Sequence, residues 1–260
     1  MGPAATPPIA LQLFTIRDQT EIDLPAALEQ VAAMGYQGVE FAGLFDHPPR
    51  EIRAVLDRLG LRACGSHTSL PRLNADIEEC IDEVQTLGAD LVVVPYLTEE
   101  YRTEAGYAQA VREMLAVAET LRGRGLRLAY HHHAFEFQTL GADSARRGID
   151  ILIDAPADLI LLEIDVYWCR HAGTDPLKFL ARHVQRTPLL HLKDMREARS
   201  RKFTEIGSGI IRFGPILKAA AEGGVEWFIV EQDGDFNGSS LESSRRSLEA
   251  LRKLCMEVLK

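Results

Sequence analysis

The sequence predicts an α/β protein built as a single (β/α)8 barrel, and three observations carry that reading. Strand and helix signals alternate from end to end, giving eight β/α units in 260 residues, a length that single barrels commonly reach. The strand segments are apolar on both faces, as in a parallel sheet covered by helices. In the three clearest strands, 160–166, 187–193 and 227–232, the polar residues appear only towards the C-terminal end, the end where such a barrel keeps its site. An open doubly wound sheet is the alternative architecture, and the lack of a GxGxxG after the first strand weakens it.

Taken in order, IALQLFTI (9–16) is the first strand, followed by a helix over 23–34 that stops at Gly35. GVEFAG (38–43) precedes a helix over 49–59 that opens on Pro48 and Pro49 and ends at Gly60, the residues each helix end favours. LRACGSH (61–67) leads to a helix over 74–87 ending at Gly88, and ADLVVVPYL (89–97) to a long helical stretch over 99–123. LRLAYHH (126–132) is the fifth strand, with its helix at 143–154. DLILLEIDV (158–166) precedes a helix over 176–184 entered through Asp175 and Pro176. TPLLHLKD (187–194) runs into a long loop reaching 212 and a helix at 214–222, and EWFIVEQD (226–233) leads to the last helix, 239–258. Residues 1–8 read as a flexible leader and 9–260 as the barrel.

Hydrophobic residues make up 46% of the chain, enough for one large core. No run approaches the roughly 18 apolar residues of a membrane span, and MGPAATPP lacks the basic and apolar regions of a secretory signal. A cytoplasmic protein is expected. With 29 basic against 38 acidic residues, the net charge of −9 opposes phosphate-backbone binding, so no nucleic-acid partner is expected. Cys64, Cys80, Cys169 and Cys255 are widely spaced, with no CxxC, and read as buried reduced thiols.

The chemistry stands at the strand ends. Gln12, Thr15 and Arg17 follow strand one, Glu40 lies on strand two and His67 on three. His131 and His133 lie on five, Glu163 and Asp165 on six, His191 and Lys193 on seven, Glu231 and Asp233 on eight. The two-residue period of a strand puts each pair on one face, which a barrel can turn inward. Carboxylates and imidazoles arriving from separate strands suit a divalent cation (Mn, Zn, Mg or Co), and mixed oxygen and nitrogen donors lean towards Mn or Zn. A lone histidine or carboxylate at a strand end is commonly a hydrogen-bonded or helix-capping residue. Asp165, His191 and Glu231 at equivalent heights on consecutive strands favour a shared site instead.

Of His131, His132 and His133, alternation lets two face the site and leaves His132 to pack under the helices. Glu136 lies past the strand, and its direction is open. Gln12, Glu40 and His67 read as wall residues that bind substrate hydroxyls or relay a proton. Lys193 reads as a cation that stabilises negative charge on a substrate oxygen. Glu205 opens EIGSG (205–209), whose glycines permit close approach to a ligand or form a plain turn. Trp168, beside Tyr167, floors a sugar site or simply packs.

In LQLFTIRD (11–18), GYQGVEFAG (35–43), GSHTS (65–69), YHHHAFEF (130–137), LEIDVYW (162–168) with GTDP (173–176), HLKD (191–194), EIGSG and VEQD (230–233), the chain resembles the sugar phosphate isomerase/epimerase superfamily. These are the xylose-isomerase-like TIM barrels, a group that includes inosose dehydratases and endonuclease-IV-like proteins. The resemblance covers essentially the whole chain and is specific for the superfamily, not for a member. It implies a metal held by Glu, Asp, His and Glu from strands five to eight. Three positions carry over as Asp165, His191 and Glu231. The fourth departs from the pattern: by strand position it falls at His131, unless Glu136 substitutes from the loop. The His-rich strand is similar to that of the inosose dehydratase branch.

The resemblance therefore implies a metal-dependent isomerase or epimerase of a small polyhydroxylated carbonyl compound, a keto-sugar or sugar phosphate. Glu231 would be ligand or base, with His131 or His133 as its partner. The alternative is a lyase or dehydratase on the same scaffold, acting on a keto-inositol or a 3-keto-glycoside, since an imidazole of pKa near ~6.5 suits proton donation to a leaving group. An endonuclease is opposed by the charge, and a non-catalytic sugar-binding barrel is a further reading. A sugar-like small molecule is the expected partner, and a homodimer is a family-level expectation.

Overall fold

The computed structural model describes residues 6–141 and 145–259. Eight parallel strands close into a barrel. They are labelled here β1 (Ile9–Gln12), β2 (Gly38–Phe41), β3 (Arg62–His67), β4 (Leu91–Val94), β5 (Arg127–His131), β6 (Ile160–Asp165), β7 (Leu189–Leu192) and β8 (Trp227–Val230). Ile9, Ala10 and Leu11 of β1 pair with Phe228, Ile229 and Val230 of β8, and this closure excludes the open sheet.

Polar side chains set where the strands stop. Gln12 accepts the Phe14 N–H through its side chain and turns the chain into a 3-10 turn over Leu13–Ile16, so the expected strand 9–16 is cut short. Asp165 ends β6 and at once accepts the Trp168 N–H, capping a helix Val166–His171 that the sequence reading lacks. The helix expected over 74–87 is two, Leu70–Ala75 and Ile77–Leu87. They divide at Asp76, whose carboxylate caps the second by accepting from Glu79 N–H. The loop after β7 carries an antiparallel ribbon, Asp194–Met195 with Phe203–Thr204. Of the helix expected over 143–154, the structure shows Gly148–Ile153. Residues 143 and 144 lie outside the described residues, as do 1–5 of the expected leader.

Alternation divides the apolar residues between two cores. Outward-facing side chains such as Val39, Phe41, Leu128, Tyr130 and Ile164 pack under the helices. Inward-facing Ala10, Cys64, Leu91, Val93, Ala129, Leu189, Trp227 and Ile229 fill the barrel below the strand ends. Burying one such Leu or Ile contributes about 1.5–3 kcal/mol. Gly38 makes room for Trp227, because a Cβ there would stand 2.7 Å from the indole. The plug forces the inward polar residues of the strand ends into one shallow layer. All four cysteines are buried and unpaired, and among the described residues no helix is long and apolar enough to cross a membrane.

Candidate metal centre and active site

Strand register assembles the centre of the site. Asp165 pairs with His191, and His131 with Glu163. Glu231 follows β8 and donates its N–H to Leu192 O at 3.3 Å, which brings its side chain beside Lys193. One donor atom from each of His131, Asp165, His191 and Glu231 lies within 4.8 Å of the others, and all four residues are buried. Asp165 Oδ2 is enclosed and accepts no hydrogen bond, although Lys193 Nζ stands 3.2 Å away. Two carboxylates, two imidazoles and an unused buried oxygen are a donor set that fits a divalent cation.

Below this layer lies a carboxylate–imidazole network. Glu163 Oε2 is 2.9 Å from His67 Nε2, 2.9 Å from His131 Nδ1 and 3.1 Å from His191 Nε2. Glu40 Oε2 is 2.8 Å from His191 Nε2 and accepts from Gln12 Nε2 at 2.7 Å. His67, His131, Glu163 and His191 also form a group compact enough for a metal. Three imidazoles already surround its single carboxylate, so it reads better as the support of the set above. His191 Nε2 lies on Glu40 and Glu163, so Nδ1, 2.7 Å from Glu231, is its nitrogen on the ligand side, whereas His131 Nδ1, although 2.9 Å from Glu163, makes no hydrogen bond. Burial disfavours a charged imidazole, but Glu163 and Glu40 overrule it and hold His191 well above its usual pKa. A cation at Nδ1 would replace the proton between His191 and Glu231, which are 2.7 Å apart. The sequence reading gave Glu163 no role, although its two-residue offset from Asp165 was the available signal.

Lys193, 1% exposed, stands among three carboxylates, with Nζ 2.7 Å from Glu231, 3.1 Å from Asp233 and 3.2 Å from Asp165. Burial works against its charge, yet Asp233, Glu231 and Asp165 raise its pKa well above the ordinary value. Burial likewise works against the Glu231 carboxylate, and Lys193 and His191 bring it well below the usual range. Asp233 is pushed up to about 7 by burial against the pull of Lys193. The sequence placed Asp233 at a strand end without assigning it to the site.

A cavity of about 580 Å3 opens above this floor, with His67, His131, His133, Lys193, Glu231 and Asp233 on its lower wall. Two wider surface grooves, about 830 and 860 Å3, are lined by none of the metal-competent groups. The chemistry therefore belongs to the smaller cavity. Trp168 is on its wall, with the Lys193 ammonium 5.6 Å from the indole centroid. His132 faces the other way, packing on Phe137 and Phe179 and accepting the Asp165 N–H through Nε2.

Three expected placements differ, those of Gln12, Glu40 and Glu205, and the open direction of Glu136 is resolved. Gln12 and Glu40, expected on the wall, are fully buried beneath the floor, where Gln12 donates to Glu40 and Glu40 holds His191. Glu136 does not reach the metal-competent group. Its Oε1 accepts from the Tyr130 hydroxyl at 2.7 Å and its Oε2 from His133 N–H at 2.8 Å. Alternation sends Tyr130 outward when His131 points inward, so a carboxylate bonded to that hydroxyl stays on the helix side of the wall. Glu205 is not on the cavity wall either. It accepts from Ser243 Oγ at 2.7 Å and Asn237 N–H at 3.1 Å, tying the ribbon to the last helix, Ser240–Val258. EIGSG is a turn wrapped on a side chain. Asp194 accepts the N–H groups of Met195, Gly207, Gly209 and Ile211 at 2.7 to 3.1 Å. A Cβ on Gly209 would stand 2.2 Å from Met195 O.

Glu136 yields a stability prediction. Burial pushes its carboxyl up to about 7 from an ordinary 4.5, against the hydrogen bonds from Tyr130 and His133. A raised folded-state pKa means the native state holds the proton more tightly, so the group's contribution to stability falls as pH rises from 4.5 towards 7. Glu136→Gln is expected to flatten the Tm-versus-pH curve across that window. An unchanged slope would remove Glu136 as its source.

The xylose isomerase-like TIM barrel family matches residues 28–254, and the chain belongs to that family. An inosose dehydratase from Lacticaseibacillus casei is 22% identical over 253 aligned residues, which cover 83% of this chain and 84% of that protein. A sugar phosphate isomerase/epimerase from Parabacteroides distasonis superposes with a TM-score of 0.83 at 22% identity, over 100% of this chain and 98% of its own. The IolI protein, solved with a bound zinc atom, superposes with a TM-score of 0.76 at 14% identity, over 96% and 99%. Structural likeness at such identities establishes the fold, and the chemistry rests on the residues.

Proposed function

We propose that the protein is a divalent-metal-dependent isomerase or epimerase of a small polyhydroxylated carbonyl compound, acting by removal of a proton next to the carbonyl. The observation that carries this reading is the buried His131, Asp165, His191 and Glu231 set beside Lys193 at the floor of the cavity. The donors suit manganese or zinc, and the zinc in the IolI structure supports the latter. When bound, the metal supplies a Lewis acid that polarises the carbonyl and acidifies the neighbouring C–H. Lys193 sets a fixed positive charge where the carbonyl oxygen gains electron density. Glu231, kept ionised by Lys193 and His191, accepts the proton from carbon. Asp233, held near 7, carries a proton at the cavity wall and returns one to the substrate. His133, lowered to about 3 by burial, stays neutral and binds a hydroxyl.

A lyase is the second reading. On the β5 side the cavity meets the imidazoles of His131 and His133, while Glu136 is turned away. An epimerase with one carboxylate on each face of its substrate is thereby less well served. The likeness to inosose dehydratase supports elimination of water from the carbon next to the one deprotonated. Metal-loaded protein incubated in D2O with keto-hexoses and keto-inositols distinguishes the readings. Deuterium beside the carbonyl in an isomeric product is expected, and enone absorbance without an isomer would transfer the assignment to the lyase. Absence of both would remove proton abstraction from the proposal.

A further inference from the structure

We infer that the compound taken by this cavity carries a flat apolar group on its sugar-like part and no phosphate. This deepens the proposed function and rests on its site, but not on which reaction occurs there. The cavity has two unlike halves. Its floor is the charged and imidazole layer, whereas its mouth is aromatic, with Phe14 after β1, Tyr96 after β4, Trp168 after β6 and Phe203 on the ribbon. Four separate segments thus deliver rings to one opening. Phe14 is 43% and Tyr96 46% exposed, two of only six large hydrophobic side chains left so open among the described residues. Apolar surface gathered at the rim of a polar floor marks a surface that a ligand covers. Above the floor the polar side-chain groups are few: the Tyr96 hydroxyl, the unpartnered Trp168 Nε1 and Ser69, whose Oγ already accepts the Arg72 N–H.

The aromatic wall is also preformed. Phe203 stacks on Tyr167 with centroids 4.4 Å apart, and the Tyr167 hydroxyl donates to Arg201 O at 2.5 Å, holding the ribbon in place. A flat group entering on the ribbon side meets a ring already fixed, so little ordering is needed there on binding.

A phosphate finds nothing comparable. Among the lining residues the one lysine or arginine is Lys193, enclosed by Asp165, Glu231 and Asp233. The N–H groups of the glycine turn are committed to Asp194. Arg17, near the mouth, donates to Phe14 O and Asp233 O at 2.9 Å each. Lys193 and the proposed metal are thus both already matched by Asp165, Glu231 and Asp233, and a dianion would find no cation left over for it.

Binding of three probes without a free carbonyl to the metal-loaded full chain tests this: methyl β-glucoside, phenyl β-glucoside and methyl β-glucoside 6-phosphate, by calorimetry. The phenyl glucoside is expected to bind about tenfold more tightly than the methyl glucoside, equivalent to ~1.4 kcal/mol, with the phosphate weakest. Tyr96→Ser and Phe203→Ser should each bring the phenyl-to-methyl ratio towards one. Equal affinities in the wild type, or no binding of the phenyl glucoside, would overturn the inference. So would tightest binding of the phosphate. No probe is turned over, so these outcomes stand apart from those of the D2O experiment.

Discussion

His191→Ala is expected to lose its metal: wild-type protein dialysed after loading should hold about one zinc or manganese per chain, and the variant close to none. Outer-shell partners of metal ligands alone are worth about 10–100-fold in affinity. Removing His191 takes away a ligand nitrogen and also the hydrogen-bonded link to Glu40 and Glu163, so a loss above ~100-fold is expected. Metal added to the wild type should raise Tm, by mass action on the folded state, and should leave the variant unmoved. Because a cation must displace the proton that Glu163, Glu40 and Glu231 hold on His191, wild-type affinity should weaken as pH falls. Full retention of metal by the variant, measured by elemental analysis, would move the site elsewhere.

The parts of this site that were legible in the sequence share one property. They are polar residues at the ends of otherwise apolar strands, where burial without a purpose is costly. Period two then puts Asp165 with Glu163, His191 with Lys193 and His131 with His133. Depth in the barrel depends on strand tilt and shear, which period two does not encode. Hence Glu40 was expected on the wall and stands beneath it, while Glu163, two residues before Asp165, became the support of three imidazoles. Loop residues were less legible still. The direction of Glu136 depends on the Tyr130 hydroxyl and the His133 N–H, and the purpose of EIGSG depends on a carboxylate thirteen residues before Gly207. The barrel itself needed only alternation and strand count and so was readable, whereas the break at Asp76 and the helix capped by Asp165 depend on single capping side chains and were not.

Lys193→Met carries the second large effect, and it separates charge placement from metal holding. Asp165, His191, Glu231 and His131 all remain, so metal content should stay near that of the wild type. The rate should fall by about 10^2–10^3, the cost of removing one preorganised group from a developing oxyanion, with the loss in kcat rather than in KM. Stability should fall too, since leaving buried carboxylates without their cation costs about 3–5 kcal/mol. Asp233 softens that penalty, because its carboxyl already sits near 7 and takes up a proton readily. Without Lys193 the pKa values of Asp165 and Asp233, already raised, move further up in the folded state, and that of Glu231 rises from its lowered position. The native protein then binds more protons than the unfolded chain above about pH 4, and the variant loses stability as pH rises. The Tm gap to wild type should accordingly widen from pH 5 to pH 8. If kcat is kept, Lys193 does no more than neutralise the floor; if the gap narrows as pH rises, it does not neutralise these carboxylates either.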